Sequence, residues 1–115
     1  MQQLFIQLIK TICISILLFC TISNPIALAE NTDLGNKVFN TQCAGCHLRG
    51  GNIIRRGKNL KLRALKKYKM DSVDAISNIV TNGKNNMSAY KDKLTSEEIR
   101  EVANYVLQQA EHNWK

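Results

Sequence analysis

The sequence predicts an all-α domain of about four short helices. Apolar residues recur three and four positions apart in several segments, and residues typical of helix starts and ends flank those segments. No stretch shows the sustained alternation of apolar and polar residues that indicates a strand. No internal repeat and no low-complexity linker divides the chain, so we expect one small domain.

The first helix is predicted from about Asp33 to Gln42, with Thr32 or Asp33 as its N-cap. A loop rich in glycine and basic residues follows, from Leu48 to about Asn59. The loop separates this helix from the rest of the predicted bundle.

Two further helices are predicted in the middle of the chain. A short one near residues 61–69 would bury Leu62 and Leu65. Asp71-Ser72 caps the next helix, and Asn82-Gly83 ends it. Its apolar residues are Val73, Ile76, Ile79 and Val80.

The last helix has the clearest start signal. Thr95-Ser96-Glu97-Glu98 is a capping box, and Leu94 can pack onto Ile99 as a hydrophobic staple. Apolar residues then repeat at helical spacing at Ile99, Val102, Ala103 and Val106.

The first 29 residues are typical of an export signal. Lys10 provides a thin positive region, residues 11–22 form an apolar run, and Ala27-Leu28-Ala29 is a small-x-small cleavage signal. We therefore assign residues 1–29 to a signal peptide and residues 30–115 to the domain. An uncleaved N-terminal anchor is the alternative.

The most informative motif is Cys43-Ala44-Gly45-Cys46-His47, the attachment signature of a c-type haem. Cys43 and Cys46 can each form a thioether to one haem edge, and His47 is then placed to bind the iron. A thioredoxin-like redox pair normally opens a helix in a βαβ unit, which this sequence does not predict. A zinc site would need a second ligand pair, but the only other histidine is His112. The motif predicts one covalent haem.

An iron held by one histidine needs a sixth ligand or keeps an open position. The candidates in the domain are Met70 and Met87. Met70 ends a short predicted helix and is typical of a core residue. Met87 lies in a polar loop between two helices, so we favour it as the ligand. If Met87 does not bind, an open iron would suit a gas sensor or a peroxidase.

Charge is the second informative property. Lys10 is the only charged residue before position 30, so the domain holds 15 of the 16 Lys and Arg and all 9 Asp and Glu. Eight of these bases lie in residues 55–69, with no acid among them. This basic segment is either a solvated face or a docking surface for an acidic partner. Nucleic acid is not expected for an exported haem protein. No Ser/His/Asp or paired-carboxylate pattern suggests hydrolysis, so we expect no enzyme.

The domain resembles cytochrome c6, a class I c-type cytochrome. The matching stretches are residues 35–39, the motif at 43–47, Gly50-Gly51-Asn52, residues 82–85 with Met87, and residues 103–107. The resemblance implies a class I fold around one covalent haem, with Cys43 and Cys46 as thioethers and His47 and Met87 as axial ligands. It also implies electron transfer from the cytochrome b6f complex to photosystem I, in a thylakoid lumen of plastid or cyanobacterial origin. A periplasmic location is the alternative.

Two departures from that family bear on function. Ser88 follows Met87, where the family usually has a proline, and Ile79 stands where it commonly has a glutamine facing the haem. Replacing an amide by an aliphatic group changes the polarity beside the haem, which tunes its potential. The sequence therefore leaves open a lower-potential carrier that donates to an oxidase or another acceptor.

Overall fold

The computed structural model describes residues 1–20 and 32–115. The proposed cleavage site, Ala27-Leu28-Ala29, lies outside the described residues. The described part of the N-terminal segment forms one helix, Gln2–Cys20. Within the part of the chain that is described, no helix is long and apolar enough to cross a membrane.

The described residues are mainly helical, and no strand occurs among them, which confirms the all-α prediction. One isolated bridge pairs Lys84 with Met87. The helices are α1 (Gln2–Cys20), α2 (Thr32–Val38), a π-helix (Phe39–Cys43), α3 (Ala44–His47), α4 (Leu62–Lys67), α5 (Val73–Asn82) and α6 (Ser96–Glu111). Two single 3₁₀ turns, Leu48–Gly50 and Arg56–Lys58, lie in the predicted loop.

The predicted caps of the last two helices are present, whereas Thr32 and Asp33, the predicted cap of the first helix, both lie within α2. Thr95 accepts a hydrogen bond from the Glu98 backbone N–H, 3.2 Å, and its own N–H donates to the Glu98 carboxylate, 2.8 Å. At the start of α5, the Ser72 hydroxyl accepts from the Ala75 N–H. The helix ends at Gly83, whose φ of 68° is a conformation that glycine adopts without steric cost. These local signals set the ends of α5 and the start of α6.

α2 and α6 cross at Gly35, where the backbones approach closely. A Cβ atom at this position would overlap the Glu101 carbonyl oxygen and lie 2.8 Å from the Tyr105 Cβ. Beside the crossing, the Phe39 ring lies 5.4 Å from the Tyr105 ring and 5.0 Å from the Trp114 ring. Gly35 and Phe39 therefore pack against α6 near Tyr105, and Trp114 completes an aromatic cluster.

The core is apolar, and half of its buried residues come from α6. Leu65 is buried as predicted, but Leu62 is only half-buried and packs at the edge of the core. The expectation that Leu62 is buried was wrong because α4 is a single short helix with one inward position. The buried apolar residues are Val38, Phe39, Leu65, Ile76, Val80, Ile99, Val102, Ala103, Val106 and Ala110.

The first helix of the domain differs from the prediction of one α-helix over 33–42. α2 ends at Val38, and a π turn follows, in which the Ala44 N–H bonds to the Phe39 carbonyl five residues earlier. Such wide turns are often found at functional sites. Here the turn lets Phe39 stay 3% exposed in the core while the chain continues into the Cys-x-x-Cys-His motif.

Candidate haem site

The motif residues lie at the junction of the π-helix and α3. Cys43 is the last residue of the π-helix and is half-buried, whereas Cys46 lies on α3 and is exposed. Both cysteines and His47 line a single cleft. The two thiols and the imidazole that the sequence predicted as a unit are thus brought together.

His47 is held in a defined orientation. Its Nδ1 lies 2.9 Å from the carbonyl oxygen of Gly51. Because a carbonyl can only accept a hydrogen bond, Nδ1 must carry the proton, and Nε2 is left with a free lone pair. A backbone partner of this kind is the usual means of fixing a metal-binding histidine.

The cleft has a volume of about 320 Å³, within the range typical of small-molecule and cofactor sites. Its walls come from the motif, the following loop, α4, α5, the segment after α5, and α6. The apolar side chains that line it include Leu60, Leu65, Ile76, Ile79, Val80, Val102 and Val106. This mainly hydrophobic cleft would enclose a planar apolar macrocycle.

Both candidate methionines line the cleft. Met87 is half-buried in the segment after α5, and Met70 is half-buried just after α4. Met70 packs against the core, as predicted, but it is also a second thioether at the same cleft. The donor set fits a covalent haem: two thiols for attachment, one imidazole with a free nitrogen, and thioether sulfur for a second axial position.

The Met87 loop, residues 83–90, connects α5 to the turn before α6. Lys84 and Met87 exchange two backbone hydrogen bonds of 3.0 Å, which close a tight turn. The Tyr90 ring is half-buried against the core. In addition, its hydroxyl donates a 3.0 Å hydrogen bond to the Gln42 carbonyl, directly before Cys43.

The loop that follows His47 is organised by a side chain to which sequence analysis gave no role. The Asn52 amide donates to the Lys58 carbonyl, 2.9 Å, and its oxygen accepts from the Ile54 and Arg55 N–H groups. The Asn52 side chain therefore holds the loop together by bonding to its backbone at three other residues. The sequence feature that could have predicted this role is an asparagine in a glycine-rich loop, because asparagine side chains readily bond to nearby backbone groups.

Two titratable groups at the cleft have shifted pKa values. Burial, and then the charge of Cys46, raises the pKa of the Cys43 thiol to about 11. The pKa of the Tyr90 phenol is raised by burial first and then by Cys43 and Cys46. Both groups are therefore neutral at physiological pH in the haem-free chain.

The basic segment lies on the surface. All eight of its Lys and Arg residues are exposed, and Arg55 and Lys58 also line the cleft. Three large apolar side chains in the loop after the motif, Leu48, Ile53 and Ile54, are exposed as well. His112 is exposed, bonds to the Gln108 carbonyl and does not line the cleft.

The helical fold and the motif at the rim of an apolar cleft define a small monohaem c-type cytochrome. A family model described as cytochrome c oxidase, cbb3-type, subunit III matches residues 30–106. A cytochrome c6-like protein of Nostoc sp. is 55% identical over 95% of this chain and 98% of its own length. Cytochrome c6 of Thermostichus vulcanus is 44% identical over 94% of this chain and 96% of its own. The chain belongs to the cytochrome c6 family.

Solved structures agree with this assignment. The crystal structure of cytochrome c6C from Synechococcus sp. PCC 7002 is 62% identical, with a TM-score of 0.68, over 70% of this chain and 98% of that one. Cytochrome c6B from Synechococcus sp. WH8102 is 48% identical, with a TM-score of 0.71, over 75% and 98%. The resemblance, the fold class and one covalent haem c are confirmed, and the family consists of haem electron carriers.

Proposed function

We propose that the chain is a one-electron carrier, and not an enzyme, whose haem is attached at Cys43 and Cys46 with His47 and Met87 as axial ligands. The observation that carries this proposal is the single cleft in which both motif thiols, the imidazole of His47 and the Met87 side chain meet. The hydrogen bond from His47 to Gly51 supports the imidazole assignment, because it leaves Nε2 free for iron.

The chain's residues would serve electron transfer by keeping the surroundings of the haem iron nearly the same in both of its oxidation states. The haem supplies the redox change between ferric and ferrous iron. His47 and Met87 are neutral ligands, and a thioether favours the ferrous state and raises the potential. The apolar walls exclude water, and the Gly51 carbonyl fixes the orientation of His47. Little rearrangement is then needed when an electron enters or leaves.

We assign Met87 rather than Met70 as the ligand for a structural reason. Met70 belongs to the compact end of α4, where its N–H bonds to the Leu65 carbonyl at 2.8 Å. Met87 lies on a loop whose other residues are mostly exposed, yet its own side chain is half-buried and lines the cleft. Met70 lies just after α4 and packs against the core, as expected of a side chain used only for packing.

The family resemblance leads us to place this carrier between the cytochrome b6f complex and photosystem I in a thylakoid lumen, with residues 1–29 as its export signal. The exposed basic segment supports docking to an acidic partner, and the exposed Leu48, Ile53 and Ile54 would provide apolar contact near the cleft. Such an interface is small and releases quickly, as a shuttle requires.

A second candidate is a lower-potential carrier that donates to an oxidase or another acceptor. The observation in its favour is that Ile79 lines the cleft, where the resemblance leads one to expect an amide. The two candidates share ligands and differ in potential and partner.

A redox titration of the haem-loaded protein, with the ferric near-infrared charge-transfer band of methionine ligation recorded in parallel, tests these proposals. The band together with a strongly positive midpoint supports the photosystem I shuttle. The band with a markedly lower midpoint supports the second candidate. A high-spin ferric haem that binds added ligands freely would reject methionine ligation and favour a sensor or peroxidase.

A further inference from the structure

We propose that the Tyr90 hydroxyl is a tether that holds the Met87 loop against the haem-attachment segment and so keeps the sixth ligand on the iron. This inference rests on the proposed role of Met87. Tyr90 is a positioning residue: its effect would reach the iron only through the loop.

The Met87 loop has few attachments to the rest of the domain. The two hydrogen bonds of Met87 join it to Lys84 within the same loop. Asn85, Asn86, Ser88 and Ala89 are all exposed. In the part of the chain that the structure describes, the first residue after Met87 that bonds to another element is Tyr90.

Tyr90 joins the loop to two elements at once. Its N–H donates to the Val80 carbonyl on α5 at 2.9 Å, and its hydroxyl donates to the Gln42 carbonyl at 3.0 Å. Gln42 is adjacent to Cys43, one of the two proposed attachment points. The ring between these bonds is half-buried, with the Lys93 ammonium 5.6 Å from its centroid. Tyr90 thus connects the start of the attachment segment to the loop that bears Met87.

The tether would matter most when the Met87 side chain leaves the iron. Detachment requires the loop to move away from the cleft, and we expect that movement to break the contact between Tyr90 and Gln42. Local openings of this kind are governed by the contacts they break. One such hydrogen bond contributes enough to change an opening equilibrium roughly 2- to 10-fold.

Tyr90→Phe tests the hydroxyl alone, because the ring and its packing are retained. Imidazole is the probe. It would replace the Met87 sulfur on ferric iron: the iron–sulfur bond would break, an iron–nitrogen bond would form, and the oxidation state would stay the same. We expect Tyr90→Phe to bind imidazole roughly 2- to 10-fold more tightly than the unaltered protein. We also expect that, as the pH is raised, the variant loses the charge-transfer band at a lower pH than the unaltered protein does.

The matched control is Tyr105→Phe, which removes a hydroxyl from a packed tyrosine outside the cleft. It should leave imidazole affinity and the pH of band loss unchanged. Equal shifts in both variants would show general loosening and would overturn the tether. The tether would also be overturned if Tyr90→Phe bound imidazole with the same affinity as the unaltered protein. If the starting protein shows no methionine band, the ligand assignment and the tether both fail. If the band is present and Tyr90→Phe binds imidazole no more tightly than the starting protein, the tether alone fails.

Discussion

The Trp114 indole N–H donates a 3.0 Å hydrogen bond to the carbonyl oxygen of Leu60, 54 residues earlier in the chain. Gly50 lies against the same indole, where a Cβ atom would collide with the ring. Leu60 in turn donates its N–H to the Gly50 carbonyl, 2.8 Å. The indole thereby closes the loop that follows the haem motif, since it contacts both ends of that loop.

Trp114→Phe should therefore destabilise the haem-loaded protein. The substitution keeps an aromatic ring beside Phe39 but leaves the half-buried Leu60 carbonyl without its donor, at a cost of about 1–3 kcal/mol. Denaturant unfolding followed by circular dichroism measures the change. Lys115→Ala, at the exposed neighbouring residue, is the control and should stay within about 0.5 kcal/mol of the unaltered protein. A Trp114→Phe protein of unaltered stability would mean that the bond to Leu60 contributes nothing.

The ligand assignment is tested by a pair of methionine variants. Met87→Leu should abolish the near-infrared charge-transfer band and lower the midpoint potential, because leucine fills a similar volume but has no sulfur for the iron. Met70→Leu is the matched control, since it removes the other thioether that lines the cleft and should retain the band. If Met70→Leu lost the band and Met87→Leu retained it, Met70 would be the axial ligand instead.

Ile79→Gln should raise the midpoint potential while the charge-transfer band persists. Amide hydrogens directed at the haem withdraw electron density and disfavour the ferric state, whereas the present side chain is aliphatic. Spectroelectrochemical titration gives the midpoint. Ile79→Val, which changes size without adding an amide, should leave the potential close to that of the unaltered protein. Equal shifts in the two variants would attribute the effect to packing instead of polarity.

The basic segment should control how fast the protein meets an acidic partner. With photosystem I particles as acceptor, we expect the second-order rate of electron transfer to fall roughly tenfold between low and physiological salt. Lys66→Glu with Lys67→Glu should lower the rate at low salt far more than the control pair Lys37→Glu with Lys115→Glu. All four lysines are exposed, and both pairs change the net charge equally. A rate independent of salt would remove the docking role of the segment.

The haem-free chain should be poorly folded. Without the macrocycle, the apolar cleft of about 320 Å³ has nothing to pack against, and a domain of this size has little other core. A Cys43→Ser, Cys46→Ser, His47→Ala variant prevents attachment and ligation. Its thermal transition, followed by far-ultraviolet circular dichroism, should be broad or absent. A sharp cooperative melt would show that the polypeptide core is sufficient.

The features that could be predicted from sequence are those encoded locally. The capping box at Thr95, the stop at Gly83 and the Cys-x-x-Cys-His motif each depend on residues within a few positions of one another. The contacts Tyr90–Gln42 and Trp114–Leu60 join residues 48 and 54 positions apart, so no local pattern reports them. The π turn after Val38 was missed for a related reason: its cause is the burial of Phe39 against the distant Tyr105 and Trp114.

Trp114 is the only tryptophan of the chain. It packs on Phe39, which itself lines the haem cleft. In the haem-loaded protein its emission should be quenched by energy transfer to the porphyrin and should reappear only when the chain unfolds and carries the indole far from the haem. The molecule thus contains an optical reporter of its own closure. Unfolding of the haem-loaded protein can therefore be timed without attaching a dye.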